Sequence, residues 1–124
     1  MGWDAYCDVE RVYKHPNMRV PANTKLRQQF KAASEYVKKK AGNVDCLLEG
    51  GGLDCDDCAK MLEKATGKSC WPEKGIWTSS EVHALKGTQN WNFKFEPADA
   101  WAYWSARKFL RVCIANGCII RFSY

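Results

Sequence analysis

Apolar and polar positions alternate at the start of the chain. Ala5, Cys7 and Val9 fall on one side, and Asp4, Asp8 and Glu10 mainly on the other. That period of two predicts a half-buried strand near residues 3–9. A turn follows at Lys14-His15-Pro16-Asn17. The spacing then changes. Leu26, Phe30, Ala33, Val37 and Ala41 recur every three or four residues and form one stripe. This predicts a helix near 24–41, with Asn23 as its N-cap, Lys38 to Lys40 at its negative end and Gly42 as its stop. A second helix, near 54–66, has Asp54 as the expected N-cap, Asp56 and Asp57 in its first turn and Gly67 beyond its end. Thr78 and Glu81 have capping-box spacing and open a short helix near 79–86.

The last third of the chain mixes both periods. Trp91-Asn92-Phe93-Lys94-Phe95 alternates aromatic with polar and predicts a strand near 91–95. Pro97 and Gly117 bracket a long helix near 97–116. Ala102, Ala106, Phe109 and Cys113 cluster on its wheel, flanked by Tyr103, Leu110, Val112 and Ile114, so it should be the central core helix. A last strand is expected near 118–124. The expected fold class is α+β, a small sheet of about three strands packed with four helices. Residues 91–124 read as a strand–helix–strand crossover.

With 124 residues, the chain has the length of one globular domain, 1–124. Apolar runs such as Cys118 to Ile120 fall far short of the ~20 residues of a membrane span. Residues 1–20 lack the apolar core of a secretory signal, so a cytoplasmic protein is expected. The net charge of +5 is uneven: residues 1–41 carry +5, residues 42–75 carry −3 and residues 76–124 carry +3. Such a balance favours encounter with an acidic partner. The pI of 8.8 is lower than nucleic-acid-binding domains usually show.

Seven cysteines are an odd number, and without a signal they read as reduced thiols serving as small core residues. Cys55-x-x-Cys58, with Cys46, Cys70 and His83 near in sequence, also has the residue types of a zinc site. Yet Cys55, Cys58, Ala59, Leu62 and Ala65 share one helix face, which core packing explains without a metal. A redox dithiol would need a preceding strand, and Gly50-Gly51-Gly52-Leu53 is a poor one. His15 and His83 are the only imidazoles, and no spacing pairs either with a nucleophile. There is no phosphate or dinucleotide loop and no serine-hydrolase motif, so no catalytic residue, metal or cofactor is expected.

The basic positions carry more. Arg27, Lys31 and Lys38 line up on the first long helix. Arg107, Lys108 and Arg111 frame Trp104 in the polar window of the last helix, a combination found at binding hot spots. These seven residues are the candidate partner-binding set. Met1-Gly2-Trp3-Asp4-Ala5-Tyr6, Gly51-Gly52-Leu53-Asp54-Cys55 and Ile120-Arg121-Phe122-Ser123-Tyr124 resemble small proteins of phages and prophages. The resemblance implies a viral accessory protein, of the kind that blocks a host defence complex as anti-CRISPR proteins do. The expectation is a non-enzymatic inhibitor docking on an acidic protein or protein–nucleic acid complex. Alternatives are a nucleic-acid-binding domain using the basic helices, and a zinc-stabilised or cysteine-dependent module.

Overall fold

A computed structural model describes residues 2–8, 19–43, 45–48 and 51–124, leaving aside the side chains of 19–24. Strand β1 (Asp4–Asp8) is followed by helix α1 (Arg19–Ala41), strands β2 (Leu47–Leu48) and β3 (Gly52–Asp54), and helix α2 (Asp56–Thr66). Strand β4 (Ile76–Trp77) and helix α3 (Ser79–Ala84) come next. A 3₁₀ turn (Pro97–Asp99) leads into helix α4 (Ala100–Ala115), and strand β5 (Ile119–Ser123) ends the fold. The protein is α+β: the described residues form four α-helices and a sheet of five short strands in the order β2-β3-β1-β5-β4, every neighbour antiparallel.

The chain's two ends form the middle of that sheet. Asp4 to Asp8 pair with Ser123 to Ile119 along the full length of both strands. Trp3, Ala5, Cys7, Ile120 and Phe122 are buried in the core. Asp8, on the strand's polar side, is buried too, because Arg121 of β5 reaches it with Nε at 3.0 Å and a second guanidinium nitrogen at 2.6 Å. Cys118, just ahead of β5, forms a disulfide with Cys7 across a Cα separation of 5.8 Å. The expectation of uniformly reduced thiols is therefore wrong for this pair. Joining residues 111 apart closes nearly the whole chain into one loop, worth about 4–5 kcal/mol in the chain-entropy account. The other five cysteines are free, and Cys58, Cys70 and Cys113 are core residues as expected.

Three further expectations change. Residues 91–95 are not a strand. Their aromatics instead surround Tyr103 of α4: Phe95 stacks at 4.1 Å, Phe93 and Trp91 meet it edge-on, and the Tyr103 hydroxyl donates to the Trp91 carbonyl at 2.7 Å. Alternation there marks side chains anchored on a helix, so the expected crossover does not exist. The glycine run does enter a strand, β3. A Cβ on Gly52 would sit 3.0 Å from the side chains of Tyr6 and Leu48, so any larger residue there would force these neighbours to shift. The helix starts differ as well. α1 begins at Arg19, so Asn23 lies inside it, and the N-cap of α2 is Cys55, with Asp54 belonging to β3. The Thr78–Glu81 capping box is formed as expected. Val9, Glu10 and the turn containing His15 lie outside the described residues.

α4 is the central helix, packed against α1, α2 and the sheet, with Ala102, Ala106, Phe109, Leu110 and Cys113 buried. Phe109 meets Phe30 of α1 at 6.0 Å between ring centroids. Among the described residues no helix is long and apolar enough to cross a membrane.

Candidate binding surface

Because the core stripe of α1 runs through Leu26, Phe30, Ala33 and Val37, the helix has two polar flanks. Arg27, Lys31 and Lys38 lie on the flank turned toward β2. With Ser34, Leu47 and Leu48 they line an open groove of about 830 Å³. This flank already contains a carboxylate. Asp45 accepts from the Ser34 hydroxyl at 2.7 Å and from the Leu47 N–H at 3.1 Å, and Lys38 Nζ lies 3.8 Å from it.

The opposite flank faces α4. Residues four apart on a helix share a face, and Tyr36 and Lys40 stand together beside Trp104. The Tyr36 and Trp104 rings meet edge-on at 5.7 Å. Lys40 lies 5.5 Å from the Trp104 centroid, Arg107 lies 5.2 Å from it, and Lys108 sits 3.8 Å over Tyr36. Each of these cations faces the negative side of an aromatic ring. Arg107 also donates to the Tyr103 hydroxyl at 2.9 Å, which fixes its guanidinium. Among the described residues no carboxylate is within salt-bridge distance of Lys40, Arg107, Lys108 or Arg111. Burial, then the charges of Arg111 and Arg107, push the Lys108 ammonium below its ordinary pKa.

Arg111 is exposed on the ridge between shallow concavities on either side of α4. The polar one holds about 590 Å³ and is walled by Gln89, Asn90, Asn92, Tyr103 and Arg107. The apolar one runs along the α1/α4 seam past Ala32, Tyr36 and Val112.

The structure thus divides the seven sequence candidates. Trp104, Arg107, Lys108 and Arg111 stand together, whereas Arg27, Lys31 and Lys38 belong to a separate groove on the far flank of α1. Sequence reading missed Tyr36 and Lys40. Their four-residue spacing was visible, but the facing of their flank toward α4 was not.

Cysteines collect at the start of α2. Cys46 is held in place as its carbonyl accepts from the Asp54 N–H at 2.9 Å. Cys70 is elsewhere, facing Glu63, and His83 is exposed on α3. Among the described residues no three His, Cys, Asp or Glu side chains converge as a metal site. Compared with protein-family models, with curated proteins and with solved structures, the chain finds no match.

Proposed function

We propose that this chain is a non-enzymatic binding protein whose α1/α4 face docks on an acidic protein surface. One observation carries the reading: four cations gather around Tyr36 and Trp104 with no carboxylate to neutralise them among the described residues. Like charges crowded together repel even where a ring attracts each of them, and an incoming acidic group relieves the repulsion. The half-buried Trp104 and the arginines are the residue types that dominate binding hot spots. The resemblance of the chain's ends to phage proteins supports a component of a host defence complex as the partner. The Cys7–Cys118 bond points away from a cytoplasmic site of action, since disulfides are rare in reducing compartments.

Nucleic acid is the second reading, and the same geometry counts against it. Base stacking needs an open aromatic face, whereas Trp104 is already in contact with Tyr36, Tyr103, Lys40 and Arg107. The test is binding of polyglutamate and of a thymidine oligonucleotide, followed by tryptophan fluorescence. Lys40→Glu with Arg107→Glu and Lys108→Glu should weaken polyglutamate binding about tenfold to a hundredfold. Arg27→Glu with Lys31→Glu should leave it nearly unchanged. Equal losses in the two variants would remove the distinction between the faces. Tighter binding of the oligonucleotide, with a steep salt dependence, would replace the protein reading with the nucleic-acid one.

A further inference from the structure

The polar concavity beside α4 offers hydrogen-bond donors whose companion acceptors are already used inside the fold. Its wall is pinned at both ends. The Gln89 N–H donates to the Leu85 carbonyl at the end of α3 at 3.1 Å, and the Asn90 N–H donates to the Ala65 carbonyl of α2 at 2.8 Å. The side chains are then oriented locally. The Gln89 carboxamide oxygen accepts the Trp91 indole N–H at 2.8 Å, and the Asn90 oxygen accepts the Asn92 backbone N–H at 2.9 Å. Both partners can only donate, so each amide must face them with its oxygen, and its NH₂ is the end left to a ligand. Arg107 is fixed in a similar way, by its bond to the Tyr103 hydroxyl, which is itself committed to the Trp91 carbonyl. Arg111 completes the rim, and among the described residues no carboxylate lines the concavity.

We infer that this concavity is a binding site for a small phosphate monoester, with the phosphoryl group held between Arg107 and Arg111. A phosphomonoester carries a charge of about −1.5 to −2 at neutral pH and accepts at three oxygens. Two guanidinium groups match that charge, and each can pair with phosphate oxygens through parallel N–H bonds. A lone carboxylate carries one charge and would leave one arginine unanswered.

The amides define the rest of the ligand. Gln89 and Arg111 together border both this concavity and the next one, where Lys86 extends the positive field, so the Gln89 NH₂ is the neutral donor that stands with the arginines. Asn90 and Asn92 follow in the same wall and suit the hydroxyls of a polyol ester. A volume of about 590 Å³ lies within the ~300–1,000 Å³ of small-ligand pockets and exceeds what a bare inorganic ion fills. Because internal bonds hold these donors before a ligand arrives, binding costs little ordering. The site shares Arg107 with the cationic face but opens on the other side of α4 from Tyr36, and it stands without the docking reading.

Calorimetric titration of the full chain with glycerol phosphate, inorganic phosphate and glycerol tests the assignment. Glycerol phosphate should bind saturably, inorganic phosphate about tenfold more weakly, and glycerol not at all. Gln89→Glu keeps an oxygen for the Trp91 indole but exchanges the NH₂ donor for a charged acceptor, and should weaken the ester about tenfold to a hundredfold. Arg111→Gln, at an exposed position, should cost about tenfold. Lys40→Gln with Lys108→Gln, which strips the docking face, should leave ester binding within about threefold. Equal affinity for inorganic phosphate and the ester, unchanged affinity in Gln89→Glu and Arg111→Gln, or no saturation at millimolar ester would overturn the proposal. A thymidine oligonucleotide that displaces the ester at lower concentration would assign the site to nucleic acid instead.

Discussion

Two corners of this protein set lysines against tryptophan, and they do opposite things with the charge. At α3, Lys68 lies 5.7 Å from the Trp77 ring, and its ammonium is 2.9 Å from Glu81. Lys74 reaches the other Glu81 oxygen at 3.0 Å, and the same carboxylate closes the capping box with Thr78. One acid therefore joins two cations to a helix start. At the α1/α4 seam, Lys40, Arg107 and Lys108 also lie over aromatic rings, but among the described residues no acid answers them. The ionisation of neighbouring groups follows. Glu81 is held down to about 2 by Lys68, Lys74 and the Thr78 N–H, whereas Lys108 is pushed below its usual value by burial and by like charge. A cation with an internal partner stabilises the fold. A cation held only by a ring keeps its charge unmatched and is available to another molecule.

The sharpest way to break this comparison is to remove each tryptophan. Trp77 is 2 % exposed, and Trp77→Ala should cost about 3–5 kcal/mol in urea unfolding. Trp104 is only half-buried, and Trp104→Ala should cost about 1–2 kcal/mol while weakening polyglutamate binding. Equal destabilisation would mean that Trp104 is a core residue and that the binding surface has lost its centre.

A smaller effect is expected at Glu81. Glu81→Gln removes two ion pairs and weakens the cap, for a loss of about 1–2 kcal/mol at neutral pH. Because the folded protein lowers this carboxyl from 4.5 to about 2, its contribution is fully present above 4.5 and disappears as the pH falls through 2. Acid titration of the two proteins should show their stabilities converging across that interval. A constant gap would place the effect in packing and not in charge.

The smallest effect has the opposite sign. Lys108→Met removes a cation that the folded state disfavours, and should be neutral or stabilising by less than about 0.5 kcal/mol. With its folded pKa below the ordinary 10.5, Lys108 makes the protein more stable as the pH rises through that folded value toward 10.5. Lys108→Met should lack that rise in thermal melts. A variant clearly less stable than the parent would mean that the Tyr36 ring outweighs burial and like charge at Lys108, and would undo the contrast.

Local chemistry was legible and long-range placement was not. The stripe Leu26, Phe30, Ala33 and Val37 predicted α1, and Thr78 with Glu81 predicted the start of α3, because both depend on residues within about three turns. The seven binding candidates were chosen by charge and helix face, which singled out Trp104, Arg107, Lys108 and Arg111. The same rule grouped them with Arg27, Lys31 and Lys38, although Asp45 and the rotation of α1 set those three apart. Strands β2 and β4 have two residues each, too few for any period to show. The aromatic alternation at 91–95 has the right period for a strand but finds no strand to pair with among the described residues.

By itself the sequence determined the α+β class, the approximate extents of the helices and which helix would be central. Apolar spacing and capping chemistry act over a few residues and survive without knowledge of the fold. The tertiary structure decided what depends on closure between distant segments. It brought Cys118 to Cys7, and turned Tyr36 and Lys40 toward Trp104. These are meetings of side chains from different elements, and they arise only when burying α4 brings α1, α2 and the two ends of the chain around it.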